Sequence, residues 1–187
     1  MLITIPESRL PSCGDTSCEF LVDPIPRPTP PPFKVNDKPK RKQVVMLDHR
    51  KPNSIVIFTL AKEILESRGV EVIEILEKPG AGTPVANEVL ERLSKEEGLV
   101  LCGVSDCGSC SAATSLDAIV LQQRGVAAVA ILTEPFREQV DRAMAYHKAD
   151  RDLPLIILPH PMQNVDDAAL RVRATVMADA VCEYLNH

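Results

Sequence analysis

Residues 99–110 read Leu99-Val100-Leu101-Cys102-Gly103-Val104-Ser105-Asp106-Cys107-Gly108-Ser109-Cys110. The stretch opens as an apolar run too greasy to face water on either side, then turns abruptly polar. The run is the expected core of a buried strand, and residues 111–123 carry on as a helix that stops before Gly125. Working outward, the same unit recurs. Short apolar runs at 44–47, 70–76, 126–132 and 154–158 alternate with helical stretches at 53–67, 84–95, 135–147 and 165–185. Five strand–helix repeats with strands apolar on both faces imply a parallel sheet covered by helices. Right-handed crossovers leave few topologies, and the economical one is the flavodoxin-like order 2-1-3-4-5. In that order the ligand crevice lies beyond the C-terminal ends of the first and third strands. The loops there are Asp48 to Asn53 and Ser105 to Cys110.

The 187 residues include 45% hydrophobic and 25% charged residues, a balance that supports one folded domain with a core of ordinary size. With no Trp and 3% aromatics, that core is aliphatic. Net charge is −5 with no basic stripe interleaved with aromatics, which argues against nucleic acid as a partner; the basic cluster Lys38 to Lys42 is short and reads as a solvated linker. No apolar run reaches the roughly 18 residues of a membrane span, and the N-terminus lacks the pattern of a secretory signal. A cytoplasmic location is the resulting expectation. Residues 1–43 differ in kind: they hold the proline-rich run from Pro24 to Pro32, which favours extended conformations. They are expected to form an arm, and residues 44–187 the α/β domain. An arm of this kind suits homo- or hetero-oligomeric docking.

Cys107 and Cys110 follow the third strand and open the next helix. The positive end of the helix dipole and its free N–H groups favour the thiolate, the nucleophilic form of cysteine. The C-x-x-C spacing lets the second sulfur reach the first, so a disulfide can close a catalytic cycle. Gly108 is expected to allow close approach of a substrate or a tight turn. The competing chemistry is metal binding, by Zn or Fe. Cys102, Cys107 and Cys110 supply three possible ligands and Cys13 or Cys18 a fourth, although Cys102 lies inside the strand, where it suits the core. No cofactor is favoured. In particular the loop Asp48-His49-Arg50-Lys51-Pro52-Asn53 is too charged and too poor in glycine to cradle a flavin phosphate.

The segment Val104-Ser105-Asp106-Cys107-Gly108-Ser109-Cys110 resembles the signature of the UGSC family, whose first motif position is selenocysteine or, as in this chain, cysteine. Lys51-Pro52-Asn53, Thr133-Glu134-Pro135-Phe136 and Leu158-Pro159-His160-Pro161 share in the resemblance, which spans roughly residues 40–185. The family is in turn similar to the selenocysteine-bearing component B of the glycine, sarcosine, betaine and D-proline reductases. The resemblance implies Cys107 as the attacking group and Cys110 as the resolving thiol. The proline-rich arm with Cys13 and Cys18 has no counterpart in it; those two cysteines could relay electrons, ligate a metal or play no part.

Around the thiols, His160, held between two prolines, is the acid–base candidate. Asp106 could orient Cys107, act as a base, or raise the thiol pKa. Lys51 could bind a carboxylate or hold the thiolate, and Asn53 could cap the following helix or touch substrate. Ser109, Thr133 and Glu134 complete the expected rim. His49 is a second-tier candidate, Cys182 a core residue, and His147 and His187 helix-end and tail residues. Together these features point to a thiol-dependent enzyme acting on a small-molecule substrate and recharged by a thioredoxin-like reductant. The alternatives are a metal-dependent lyase or hydratase-type subunit and a non-catalytic partner subunit.

Overall fold

The computed structural model describes residues 30–186. Five strands, β1 (Gln43–Asp48), β2 (Glu71–Glu77), β3 (Leu99–Ser105), β4 (Ala127–Thr133) and β5 (Leu155–Leu158), form one sheet in the order β2-β1-β3-β4-β5, with every pairing parallel. The helices are α1 (Ser54–Ser67), α2 (Asn87–Leu93), α3 (Gly108–Gln123), α4 (Arg137–His147) and α5 (Asp167–Asn186); one 3-10 turn, Glu134–Phe136, precedes α4. The flavodoxin-like order expected from the repeat is therefore the observed one.

Alternation along the strands divides the core in two. Val44, Met46, Leu99, Leu101, Val129 and Ile131 pack under α1 and α5, around the fully buried Phe58. Val45, Leu47, Val100, Ala128, Ala130 and Leu132 pack under α2, α3 and α4. Each face is aliphatic, as the composition requires. The period breaks once where it matters. Between Cys102 and Ser105 the β3–β4 register slips, so that Cys102 lies beside Ala130 and Ser105 beside Leu132. A bulge of this kind re-aims the side chains beyond it. Gly103 sits at the slip, and any side chain there would lie 2.8 Å from Cβ of Ile131, closer than packing allows.

Two elements differ from expectation. α2 begins at Asn87 rather than near Pro84, because Val85 is drawn into the core and Ala86 stays extended as the N-cap. α3 begins at Gly108, earlier than its apolar periodicity indicates, which makes Cys107 the N-cap and puts Cys110 in the first turn. The described part of the proline-rich arm lies on the domain. Val35 is buried, Phe33 bridges Ala149, and the Asn36 N–H donates to Gln122 Oε1 at 2.5 Å. Packing on the domain thus starts ahead of residue 44, and Lys40 and Arg41 are tied to Glu97 by backbone bonds and ion pairs. Cys13, Cys18 and His187 fall outside the described residues. No helix among the described residues is long and apolar enough to cross a membrane.

Candidate active site

Cys107 is the N-cap of α3, with an extended backbone, and stands at the positive end of the helix dipole. Burial pushes the Cys107 thiol up, but the Cys110 thiol and backbone N–H, the Ser109 hydroxyl and the Lys51 ammonium together bring it below the ordinary thiol value. The Lys51 Nζ lies 3.9 Å from the Cys107 sulfur, as does the Ser109 Oγ. Cys110 moves the other way: burial, its bond to Cys107 and the neighbouring negative charge all raise it. The pair is thus polarised: the half-exposed Cys107 is shifted toward the thiolate and the buried Cys110 toward the thiol.

Lys51 reaches this position from the loop after β1, as the topology predicts for the crevice between β1 and β3. A methyl group on Gly108 would meet nothing within 4 Å, and its backbone lacks the positive φ of a tight glycine turn. The space beside Cys107 is open to an incoming molecule.

The second part of the site comes from β3, β4 and β5. The Asp106 carboxylate is buried and turned into the protein, where it receives three donors. The His160 Nδ1 lies 2.7 Å and the Thr133 hydroxyl 2.8 Å from Oδ1, and the Met162 N–H donates to Oδ2 at 3.0 Å. A carboxylate so occupied is an anchor for His160. It fixes the ring by Nδ1 and leaves Nε2 for proton transfer. The Phe136 ring packs edge-on against the imidazole, with centroids 5.8 Å apart. Asn53 does not cap α1. It sits in the left-handed region, which asparagine tolerates, and its side-chain amide donates to the Met162 carbonyl at 2.8 Å. The loops after β1 and β5 are stitched together by that bond. Glu134, expected on the rim, is exposed at the start of the 3-10 turn.

Cys102 lies fully buried in β3, where burial above all, with the Asp117 charge, pushes its thiol up; it is an inert member of the core. Cys182 is half-buried against the core, with the Arg68 guanidinium 3.9 Å from its sulfur. Among the described residues no group of three or more His, Cys, Asp or Glu is placed to hold a metal ion. His49 is wholly enclosed and has no path to substrate.

Sequence reasoning missed Arg173. From the otherwise apolar stripe of α5 it donates to the carbonyls of Pro159 (3.1 Å), Pro161 (2.7 Å) and Ala169 (2.8 Å), clamping the loop that carries His160. The signal was available: a lone arginine at the helical spacing of Leu170, Ala174 and Met177. A cavity of about 750 Å³ between α4 and β5, lined by Arg137, Asp141, Lys148 and Asp152 among others, contains none of the site residues.

Residues 21–187 match the model of the UGSC family. No curated protein matches the chain. Among solved structures the chain is similar to a mutant flavo di-iron protein from Thermotoga maritima, at 15% identity and a TM-score of 0.46 over 78% of this chain; it spans 37% of that protein's length.

Proposed function

The chain belongs to the UGSC family, and from that premise and the polarised thiol pair we propose that it is a thiol-dependent redox enzyme, or the thiol-bearing subunit of one, that reductively cleaves a C–N, C–S or C–halogen bond of a small molecule. The Cys107 thiolate attacks the carbon, forming an S–C bond as the bond to the leaving group breaks. His160, held through Nδ1–H by Asp106, gives that group from Nε2 the proton that the Cys107 thiol released to it on forming the thiolate. Cys110 then attacks the Cys107 sulfur and forms the disulfide. The S–C electron pair stays with the carbon, which takes up the Cys110 proton. The substrate gains two electrons and the pair of thiols loses two. An external dithiol of the thioredoxin type reduces the disulfide and resets the site. This requires a carbon able to bear the electron pair, such as one beside a carbonyl.

The observation that supports the reading is the opposite displacement of the two thiols, down for Cys107 and up for Cys110. A nucleophile that ionises more readily than an ordinary cysteine, beside a resolving thiol that holds its proton more tightly, is what such a cycle requires. The likeness read from the sequence between the UGSC family and reductase component B favours the same reaction class. The test is Cys110→Ser. That variant stalls after the first step, with substrate carbon covalently held on Cys107 and visible as a mass increment in the intact protein. Undiminished turnover by Cys110→Ser sinks the scheme.

A further inference from the structure

Below the thiol pair the core encloses a second polar group. His49 and Lys78, which follow β1 and β2, and Ser105, Thr114 and Asp117 on β3 and α3 are each at most 5% exposed. Their hydrogen bonds have a direction. The Ser105 Oγ lies 3.2 Å from the Cys110 carbonyl, which can only accept, so the Ser105 hydroxyl donates there. Its oxygen is left to accept from Thr114, with which it is in close contact. Thr114 has one proton, now committed, so its oxygen accepts from the His49 Nδ1 at 2.8 Å. The ring nitrogen must then carry hydrogen at Nδ1.

The other nitrogen completes the picture. His49 Nε2 has no hydrogen-bond partner and lies 3.5 Å from the Asp117 Oδ2, an oxygen that Lys78 already occupies. A second proton at Nε2 would suit Asp117 but is opposed by burial and by the Lys78 charge, which hold the imidazole down to about 3. The charged and titratable groups around it are Lys78 from the loop after β2, Asp117 from α3, Cys102 from β3 and the adjacent Asp48. The Asp48 carboxylate is taken by the Ser54 hydroxyl and the Arg50 N–H.

We propose that His49 is a positioning residue: a neutral Nδ1–H imidazole at the head of a one-way chain, His49 to Thr114 to Ser105 to the Cys110 carbonyl, that fixes the first turn of α3 and with it the geometry of the Cys107–Cys110 pair. Lys78 and Asp117, paired with each other, lie behind the ring. The Cys110 thiol and N–H that lower the Cys107 thiol both sit on that turn, so a shift of the turn changes their influence. The consequence for reactivity rests on the proposed function, while the chain itself does not.

Nitrogen-15 NMR of the full chain, labelled at histidine, tests the chain directly. The expected result is a His49 ring that stays neutral with hydrogen on Nδ1 from about pH 5 to about pH 8. Hydrogen on Nε2, or titration within that range, overturns the proposal. The second measurement is the pH profile of Cys107 alkylation by iodoacetamide in two variants. His49→Asn places an amide N–H where Nδ1 stands and keeps the wild-type midpoint. His49→Gln offers its N–H at the Nε2 place, and the Cys107 midpoint rises by about one unit, about tenfold less thiolate at a given pH. Identical profiles for Asn and Gln overturn the positioning role. Should His49→Gln not fold, Thr114→Val cuts the chain at its middle link; the same rise is expected, and an unmoved midpoint has the same adverse force. A wild-type Cys107 no more reactive than an ordinary thiol would count against the proposed function alone, because the tautomer decides the chain independently.

Discussion

Two layers of polar side chains meet at the C-terminal edge of the sheet, and they are built on opposite terms. The outer layer, Lys51, Cys107, Ser109 and His160, is open to water on one side, with Cys107 resting on the start of α3 and His160 on the buried Asp106 carboxylate. The inner layer, His49, Lys78, Ser105, Thr114 and Asp117, is sealed in the core and held by side chains bonded to one another. Exposure lets a side chain react. Burial makes a hydrogen-bond network costly to misarrange, since an unmet buried donor or acceptor loses about 1–3 kcal/mol. The comparison suggests a division of labour, in which chemistry is kept in the outer layer and geometry is set by the inner one.

The sharpest way to break the comparison is to remove a support that belongs to neither layer. Arg173→Ala strips the Pro159 and Pro161 carbonyls of their donor, and unfolding in denaturant should show a loss of about 3 kcal/mol. A loss below about 1 kcal/mol would mean that the His160 loop holds itself.

A smaller effect sharpens the inner half. The His49 imidazole falls from an ordinary 6.5 to about 3 on folding. Below 6.5 the unfolded chain takes up a proton that the folded chain refuses. Its contribution is therefore complete above 6.5 and is lost as pH falls toward 3. Asp48 and Asp117, both raised by burial, add a term of opposite sign that is fully present below 3.8 and fades as pH rises above it. Between pH 6.5 and about pH 5 the histidine should cost about 2 kcal/mol of stability, and His49→Asn should flatten that slope. Equal slopes in the two proteins would place the acid sensitivity elsewhere.

The smallest effect lies in the outer layer. Lys51→Met removes the weakest of the four influences that lower Cys107, so the alkylation midpoint should rise by only about half a unit. A shift of about two units would make Lys51, and not the turn of α3, the main stabiliser of the thiolate.

The two layers also differ in how they could be seen in the sequence. The fold was legible because each strand is a short apolar run and two of the helices, α1 and α3, close at Gly69 and Gly125, whose φ values are 81° and 82°. The outer layer was legible for the same reason: once the strand order is known, Lys51, Cys107, Thr133 and His160 all fall at strand ends. The inner layer was not. Lys78 opens a Lys-Pro-Gly sequence that looks like a surface loop, yet the chain folds it inward onto Asp117. Asp117 itself lies on a helix whose buried face also takes Ser111, Thr114 and Ser115, which blurs the apolar stripe. Of the two roles open to Asn53, the side-chain cap is not the one observed. A residue before a helix suggests a cap, but its left-handed backbone directs the amide to Met162. Asp106 likewise neighbours Cys107 in the chain while serving His160 in space.

The account turns on the ionisation of one sulfur. The most direct measurement is the rate of iodoacetamide alkylation at Cys107 and at Cys110 against pH, with each site read by peptide mass spectrometry in the fully reduced protein. The account predicts that Cys107 is modified first, with a midpoint below the ordinary thiol value, and that Cys110 reacts later with a midpoint above it. Equal midpoints, or Cys110 leading, would contradict it.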